Sequence, residues 1–215
     1  MKIRQLPPVV RTPELAFSMF ERLRREVEDS GIDRNLTLLD TQYRMHPEIM
    51  SVSNTLFYQG RILAGVSPED RLPPDGAPVV MVPVEVKSGE RVNIAEVDAV
   101  ERIVRRYQRE HGLPGAAIGV VSPFRAQVVL LRKRLHDTGV TVDTIERFQG
   151  GERDIMILSL VRSRGGAFVF DDRRFNVAIT RARRKLIFVA HPELFANSKF
   201  EWLLGFAKDE LPSKF

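Results

Sequence analysis

The sequence has no cysteine in its 215 residues and only four histidines, His46, His111, His136 and His191. The first absence excludes a disulfide frame, a thiolate metal site and a cysteine nucleophile. The histidines are scattered and show no metal-ligand spacing. No apolar run approaches the roughly 20 residues of a membrane span. The opening MKIRQLPPVVRT lacks the apolar stretch of a signal segment. Internal repeats and low-complexity tracts are also missing. These absences lead to the expectation of a soluble, cytoplasmic protein with no membrane association. Hydrophobic residues make up 43% of the chain, enough for a substantial core. The length suits one domain, or one domain and a fragment of another. Net charge is +5 and the pI is 9.8. That balance suits a polyanionic partner, although many basic domains bind none.

The densest basic stretch is DDRRFNVAITRARRK, residues 171–185. Phe175, Ile179 and Ala182 recur at helical spacing, so one face can pack while Arg173, Arg174, Arg181, Arg183 and Arg184 project elsewhere. Asp171 and Asp172 stand where a helix start favours carboxylates. A strand is expected at 186–190. The resulting picture is a basic helix clamped on a sheet, with guanidinium forks suited to phosphate oxygens. A solvated cationic helix is the plainer alternative.

Patterning elsewhere predicts helices over residues 13–30, from 47 to about 60, 93–111, from 122 to about 137, and 192–208. The apolar face of the 93–111 helix is expected to be Ile94, Val97, Val100, Ile103, Val104 and Tyr107, with Arg and Glu opposite. Strands are expected at 36–39, 78–86, 116–121, 140–144 and 155–161, the last continuously apolar like a central parallel strand. Pro83 argues that its strand is an edge or carries a bulge. Residues 59–77, rich in Gly, Pro and Asp, are expected to form a long loop. Alternating strands and helices imply an α/β parallel sheet with helices on both faces. Ligands of such sheets bind beyond the strands' carboxyl ends. Ser122, Thr144, Arg162 and Ser163 follow strand ends, so the polar segments are expected on one edge.

Four such segments follow one another: QYRMHP, SPFRAQ, RFQGGERD and RRFNVAITRAR. In that order they resemble the second RecA-like (P-loop NTPase-like) motor domain of superfamily 1B helicases, the branch of senataxin and the RNA-surveillance helicases. The resemblance covers residues 36–189. QLPPVV, with the helix after it, resembles the end of the family's first motor domain. Residues 1–30 are therefore expected to be that end or a linker, and 31–215 the second domain. Where the family has Gly-Asp ahead of the Gln, this chain has Met1 and Lys2. The chain is thus expected to start inside that motif. No GxxxxGK[ST] occurs in it, and no acidic strand-end motif for magnesium precedes QYRMHP. The isolated chain is expected to be inactive.

The resemblance implies roles for single residues. Arg44 and Arg181 match the arginines that reach the γ-phosphate of ATP held by the other domain. Glu152 matches the acid that contacts the nucleotide sugar. Gly150 and Gly151 would allow close backbone approach. Gln5 matches the residue that senses the γ-phosphate, and Tyr43 would stack near the base. Ser122, Phe124, Arg125 and Thr144 match positions on the side of single-stranded nucleic acid. ATP with Mg2+ is the implied cofactor, held mainly by the first RecA-like domain. Plainer roles stay open: Arg44 as a turn cap, Glu152 paired with Arg153 or Arg147, Ser122-Pro123 as an ordinary helix start. Two other functions compete. One is a non-catalytic, helicase-derived nucleic-acid-binding module. The other is a metal-dependent nuclease built on Asp75, Glu85 and Lys87, where carboxylates would hold magnesium and the lysine would polarise water.

Overall fold

The computed structural model describes residues 19–30, 39–85, 91–148, 151–163, 171–196 and 198–209. Gln5, Lys87 and Gly150 lie outside them, as do residues 13–18 of the first expected helix and 36–38 of the first expected strand. Leu39 has no regular structure and is 86% exposed.

Helix α1 spans Met19–Asp29. A two-residue strand β1, Thr41–Gln42, leads into α2, Pro47–Ser53, which continues as a π-helical turn over Asn54–Tyr58. His46 caps α2, its Nδ1 accepting the Glu48 amide at 3.1 Å, and Pro47 occupies the first turn where no N–H is missed. The loop that follows carries β2, Leu63–Ala64, paired in parallel with β1, and a 3-10 turn at Glu69–Arg71. Then come β3 (Val79–Pro83), α3 (Ile94–His111), β4 (Ile118–Ser122), α4 (Arg125–Arg134), β5 (Thr141–Thr144) and β6 (Arg153–Ser159). The chain continues with α5 (Asp172–Ile179), β7 (Ala182–Ala190), α6 (Leu203–Phe206) and β8 (Lys208–Asp209).

The main sheet has the order β5-β4-β6-β7-β3-β8, parallel throughout. Strand alternation splits the core into two layers. Val79, Met81, Leu158, Phe188 and Ala190 face α2, α5 and the C-terminal segment. Val80, Val82, Val120, Ile157 and Val189 face α3 and α4. β6 is central and its apolar residues are fully buried, so truncating Ile157 to Ala should cost about 2–5 kcal/mol. The α/β, RecA-like architecture is as expected from the sequence.

Several local expectations are corrected. The basic stretch is not one helix: α5 stops at Ile179, Arg181 stands in the turn, and Ala182 to Lys185 already belong to β7. Lys185 needs this, because its side chain is fully buried and its Nζ donates to Asp75 Oδ1 at 2.7 Å. The tail after Pro192 is a 3-10 turn, a one-turn helix and a short strand, not one helix. Pro83 ends β3 beside Ala190 of β7, beyond the reach of β8, so its missing N–H interrupts no ladder. On α3, Ile94 is 55% exposed, while Glu96, expected on the polar face, is fully buried.

Candidate nucleotide and nucleic-acid faces

Arg44 lies in the turn between β1 and α2. Gln42 shapes that turn, its side-chain oxygen accepting the amides of Arg44 at 2.9 Å and Met45 at 2.7 Å. Arg71 braces the turn from outside, donating to the carbonyls of Arg44 and Tyr43 at 2.9 and 3.0 Å. The His46 amide donates to the Arg183 carbonyl at 2.8 Å, which docks the turn on β7. Burial lowers the His46 pKa, against opposing pulls from Glu48 and Glu69, so the imidazole is a neutral cap. Asn176 ties the same unit to α5: it accepts the Ser53 hydroxyl at 2.6 Å and donates to the Tyr58 hydroxyl at 2.9 Å. Arg71, Asn176 and Gln42 were not singled out from the sequence. Asn176 lies inside the RRFNVAITRAR segment, but a polar residue on a mixed helix gives no sign of what it touches.

These contacts bring Arg44, Glu152 and Arg181 together. Arg44 Nε donates to Glu152 Oε2 at 2.5 Å, and its Nη1 to the Thr180 carbonyl at 3.0 Å. Arg181 Nε donates to the Val177 carbonyl and its Nη1 to the Gly151 carbonyl, both at 3.2 Å. In each guanidinium two nitrogens are anchored, and Nη2 has no acceptor among the described residues. Arg183 also approaches Glu152, at 3.7 Å. Glu152 pairs with Arg44 and Arg183 rather than with Arg147, and Arg153 reaches the Glu152 carbonyl, at 2.7 Å, and the Thr141 hydroxyl, at 2.9 Å, but not the Glu152 carboxylate. The Arg181 pKa is lowered, first by burial and then by Arg44, with Glu152 pulling the other way. Arg183 and Arg184 also near Asp154, at 3.8 and 3.6 Å, so four arginines meet two carboxylates and positive charge is left in excess. Tyr43 is 67% exposed beside this group and lies over Gly65, where any side chain would collide with its ring.

The second group stands at the other end of the sheet. Glu152 and Arg181 immediately precede β6 and β7, at the strands' amino ends. Ser122 and Thr144 are the last residues of β4 and β5, at the carboxyl ends, and face each other in register. The expectation that all polar segments share one edge is therefore overturned: parallel strands put residues before a strand and after it on opposite sides. Ser122 is buried and accepts the Phe124 amide at 3.4 Å. Phe124 precedes α4, and Arg125 opens it with an exposed side chain. Arg162, after β6, lies 5.3 Å from the Phe124 ring centre. Ser122, Phe124 and Thr144 thus gather with Arg162 where a polymer backbone could lie.

Asp75 and Glu85 of the metal-dependent nuclease alternative do not come together, and Lys87 lies outside the described residues. Asp75 precedes β3 and is held by Lys185, Tyr107 and Arg106. Glu85 follows β3, with an almost fully exposed side chain near His191. The whole five-residue strand, about 16 Å long, separates them. Among the described residues no group of three or more His, Asp or Glu is placed to hold a metal ion, and no helix is long and apolar enough to cross a membrane.

A family model described as an AAA domain matches residues 15–193. The chain is 29% identical to the DNA polymerase alpha-associated DNA helicase A of Saccharomyces cerevisiae, over 95% of the chain and 35% of that protein. It is 32% identical to an uncharacterized ATP-dependent helicase of Methanocaldococcus jannaschii, over 91% of the chain and 32% of the relative. A regulator of nonsense transcripts 1 homolog of Drosophila melanogaster is 32% identical over 95% of the chain and 19% of its own length. The chain thus spans about a third or less of these relatives. A solved C-terminal domain of a possible DNA helicase from a Lactobacillus superposes with a TM-score of 0.49 at 17% identity, over 78% of this chain and 98% of that one. The chain belongs to this AAA-domain family and is a RecA-like C-terminal part of the superfamily 1 helicases.

Proposed function

We propose that the chain is the C-terminal motor half of an ATP-dependent helicase, and that it completes a nucleotide site formed with a first RecA-like domain. The observation that carries this reading is the pair of arginines beside Glu152, each with two nitrogens anchored and Nη2 without an acceptor among the described residues. Phosphoryl transfer spreads charge over the equatorial oxygens of the γ-phosphate, and fixed positive groups aimed there lower the barrier. Closing the first domain on this face would bring ATP and its Mg2+ to Arg44 and Arg181. The excess positive charge would then be neutralised by the phosphates. Tyr43 would stack near the base, Glu152 would reach the sugar, and Gly151 would give close backbone access. Gln5, outside the described residues, keeps its proposed role as γ-phosphate sensor. Residues 1–30 would be the end of the first domain or a linker, and 31–215 the second domain.

At the opposite end of the sheet, Ser122, Phe124, Arg125 and Thr144 would hold single-stranded nucleic acid by its backbone. A hydroxyl or an amide there grips phosphate without reading sequence. Opening and closing of the nucleotide cleft would move the strand across both domains. Alone, the chain should hydrolyse no ATP and should bind single strands weakly, with Kd about 10⁻⁴ to 10⁻⁶ M at physiological salt. Joined to a phosphate-loop domain, it should hydrolyse ATP, and Arg44→Ala should lower turnover on the order of 10³-fold. Near-normal turnover in folded Arg44→Ala would refute the reading. Strand binding without any turnover in the joined protein would favour the non-catalytic binding module instead.

A further inference from the structure

The carboxyl end of β6 holds a buried polar cluster that neither face uses. Glu96, in the first turn of α3, has no exposed surface. Its Oε2 accepts the Ser159 hydroxyl at 2.6 Å, and its Oε1 accepts the Val161 amide at 2.8 Å. Asn93, the cap of α3, adds a long bond from Nδ2 to Oε1 at 3.4 Å. Gln127 of α4 closes the ring. Its Nε2 donates to Ser159 Oγ at 3.0 Å and to the Asn93 carbonyl at 3.1 Å, while its Oε1 accepts the Asn93 amide at 2.9 Å. Because Gln127 donates to the Ser159 oxygen, the hydroxyl proton is left to point at Glu96. Three donors thus converge on the carboxylate: the Ser159 hydroxyl, the Val161 amide and Asn93 Nδ2.

The ring grips a strained piece of backbone. Val161 has a φ of 69°, where a β-branched residue is an outlier because Cβ crowds the carbonyl. The Arg162 amide donates to the Leu160 carbonyl at 2.8 Å, closing a γ-turn around Val161. The positive-φ form of that turn is rare and strained. Such backbone persists only where its surroundings over-determine it. Here the Glu96 carboxylate takes the Val161 amide itself. Directly after the turn, the Arg162 guanidinium sits over Phe124, with no carboxylate partner among the described residues.

We infer that the Asn93–Glu96–Gln127–Ser159 cluster is a positioning device: it holds the γ-turn at Val161 closed, and the turn aims Arg162 at the phosphates of a single strand lying across Ser122, Phe124 and Thr144. Glu96 is a positioning residue that acts through Arg162. This rests on the strand-binding reading proposed above. A cluster that merely stitched α3, α4 and β6 together would matter for folding and not for the strand.

The test titrates a labelled single-stranded oligonucleotide at several salt concentrations with the whole chain. The variants are Glu96→Gln, Arg162→Ala, the two combined, and Val100→Ala as a stability control. Val100 is fully buried on the same helix and belongs to the apolar layer, so its truncation destabilises without touching the ring. Arg162→Ala should weaken binding on the order of tenfold. It should also reduce the slope of log affinity against log salt by about 0.7, one phosphate on a single strand. Glu96→Gln keeps the shape but turns one acceptor into a donor facing the Ser159 proton. It should reproduce both changes, and the combined variant should bind no more weakly than Arg162→Ala alone. Ser159→Ala, a gentler cut in the same ring, should shift both quantities in the same direction and serves if Glu96→Gln does not fold. Folded Val100→Ala should bind like the wild type. Unchanged affinity and slope in a folded ring variant, or additive losses in the combined one, would overturn the inference while leaving strand binding intact. A wild-type chain with no salt-dependent binding would instead overturn the strand-binding reading, and this inference with it.

Discussion

Arg44 Nε lies 2.5 Å from Glu152 Oε2, so the arginine proposed to meet the γ-phosphate is held by the acid proposed to meet the sugar. Both side chains are more than a third exposed, and an ion pair of that kind stabilises a fold by roughly 0–1 kcal/mol. Its value lies in orientation. Glu152→Ala should therefore lower the melting temperature by at most a few degrees, while turnover by a motor containing both domains falls much further. Turnover and melting measured on one preparation decide this. A large stability loss with turnover reduced only in proportion would make the pair structural.

The sequence disclosed the sheet more fully than the geometry of its faces. β6 was legible because seven mostly apolar residues leave a helix no polar side. The helix boundary at Ile179 was not, because Ala182 continues the helical spacing of Phe175 and Ile179. What ends α5 is tertiary: Lys185 is fully buried against Asp75, an acid 110 positions earlier. Glu96 was misplaced for the same reason, since its partners Ser159 and Val161 are 63 and 65 residues away. Arg44, Glu152 and Arg181 were identified by motif, but their separation from Ser122 and Thr144 follows from strand direction, which the motifs do not state.

Glu96 makes stability depend on pH. Burial raises its pKa from 4.5 to about 7, against the pull of Ser159, the Val161 amide and Asn93. A carboxyl whose folded pKa is raised gives stability that is fully present below the unfolded value and is lost as pH rises through the folded one. The fold should thus weaken between pH 4.5 and about 7 by at most ~3 kcal/mol, then level off. Urea midpoints across pH 5 to 8 measure this. Glu96→Gln should flatten the dependence, and an equally steep one in that variant would assign it to another group.

Asp75 should behave as a structural acid. Burial alone would raise its pKa, but hydrogen bonds from Lys185 and Tyr107 and the charges of Lys185 and Arg106 hold it below the usual value. Asp75→Ala strands a buried ammonium and should cost about 3–5 kcal/mol in chemical denaturation. Magnesium or manganese should yield no strand cleavage by the wild-type chain. Metal-dependent cleavage that vanished in Glu85→Ala would restore the nuclease reading.

Arg181 tests the central claim most directly. It is anchored through Nε and Nη1, beside Arg44, in the turn between α5 and β7. In a motor joining this domain to a phosphate-loop domain, ATP turnover, nucleotide affinity and melting temperature should be measured for Arg181→Ala and Arg181→Lys. An arginine at the transferring phosphoryl group is worth roughly 10³ to 10⁵ in rate. Both variants should lose turnover on that scale with affinity much less changed, because lysine keeps the charge but not the planar fork. Near-normal turnover in folded Arg181→Ala would contradict the account.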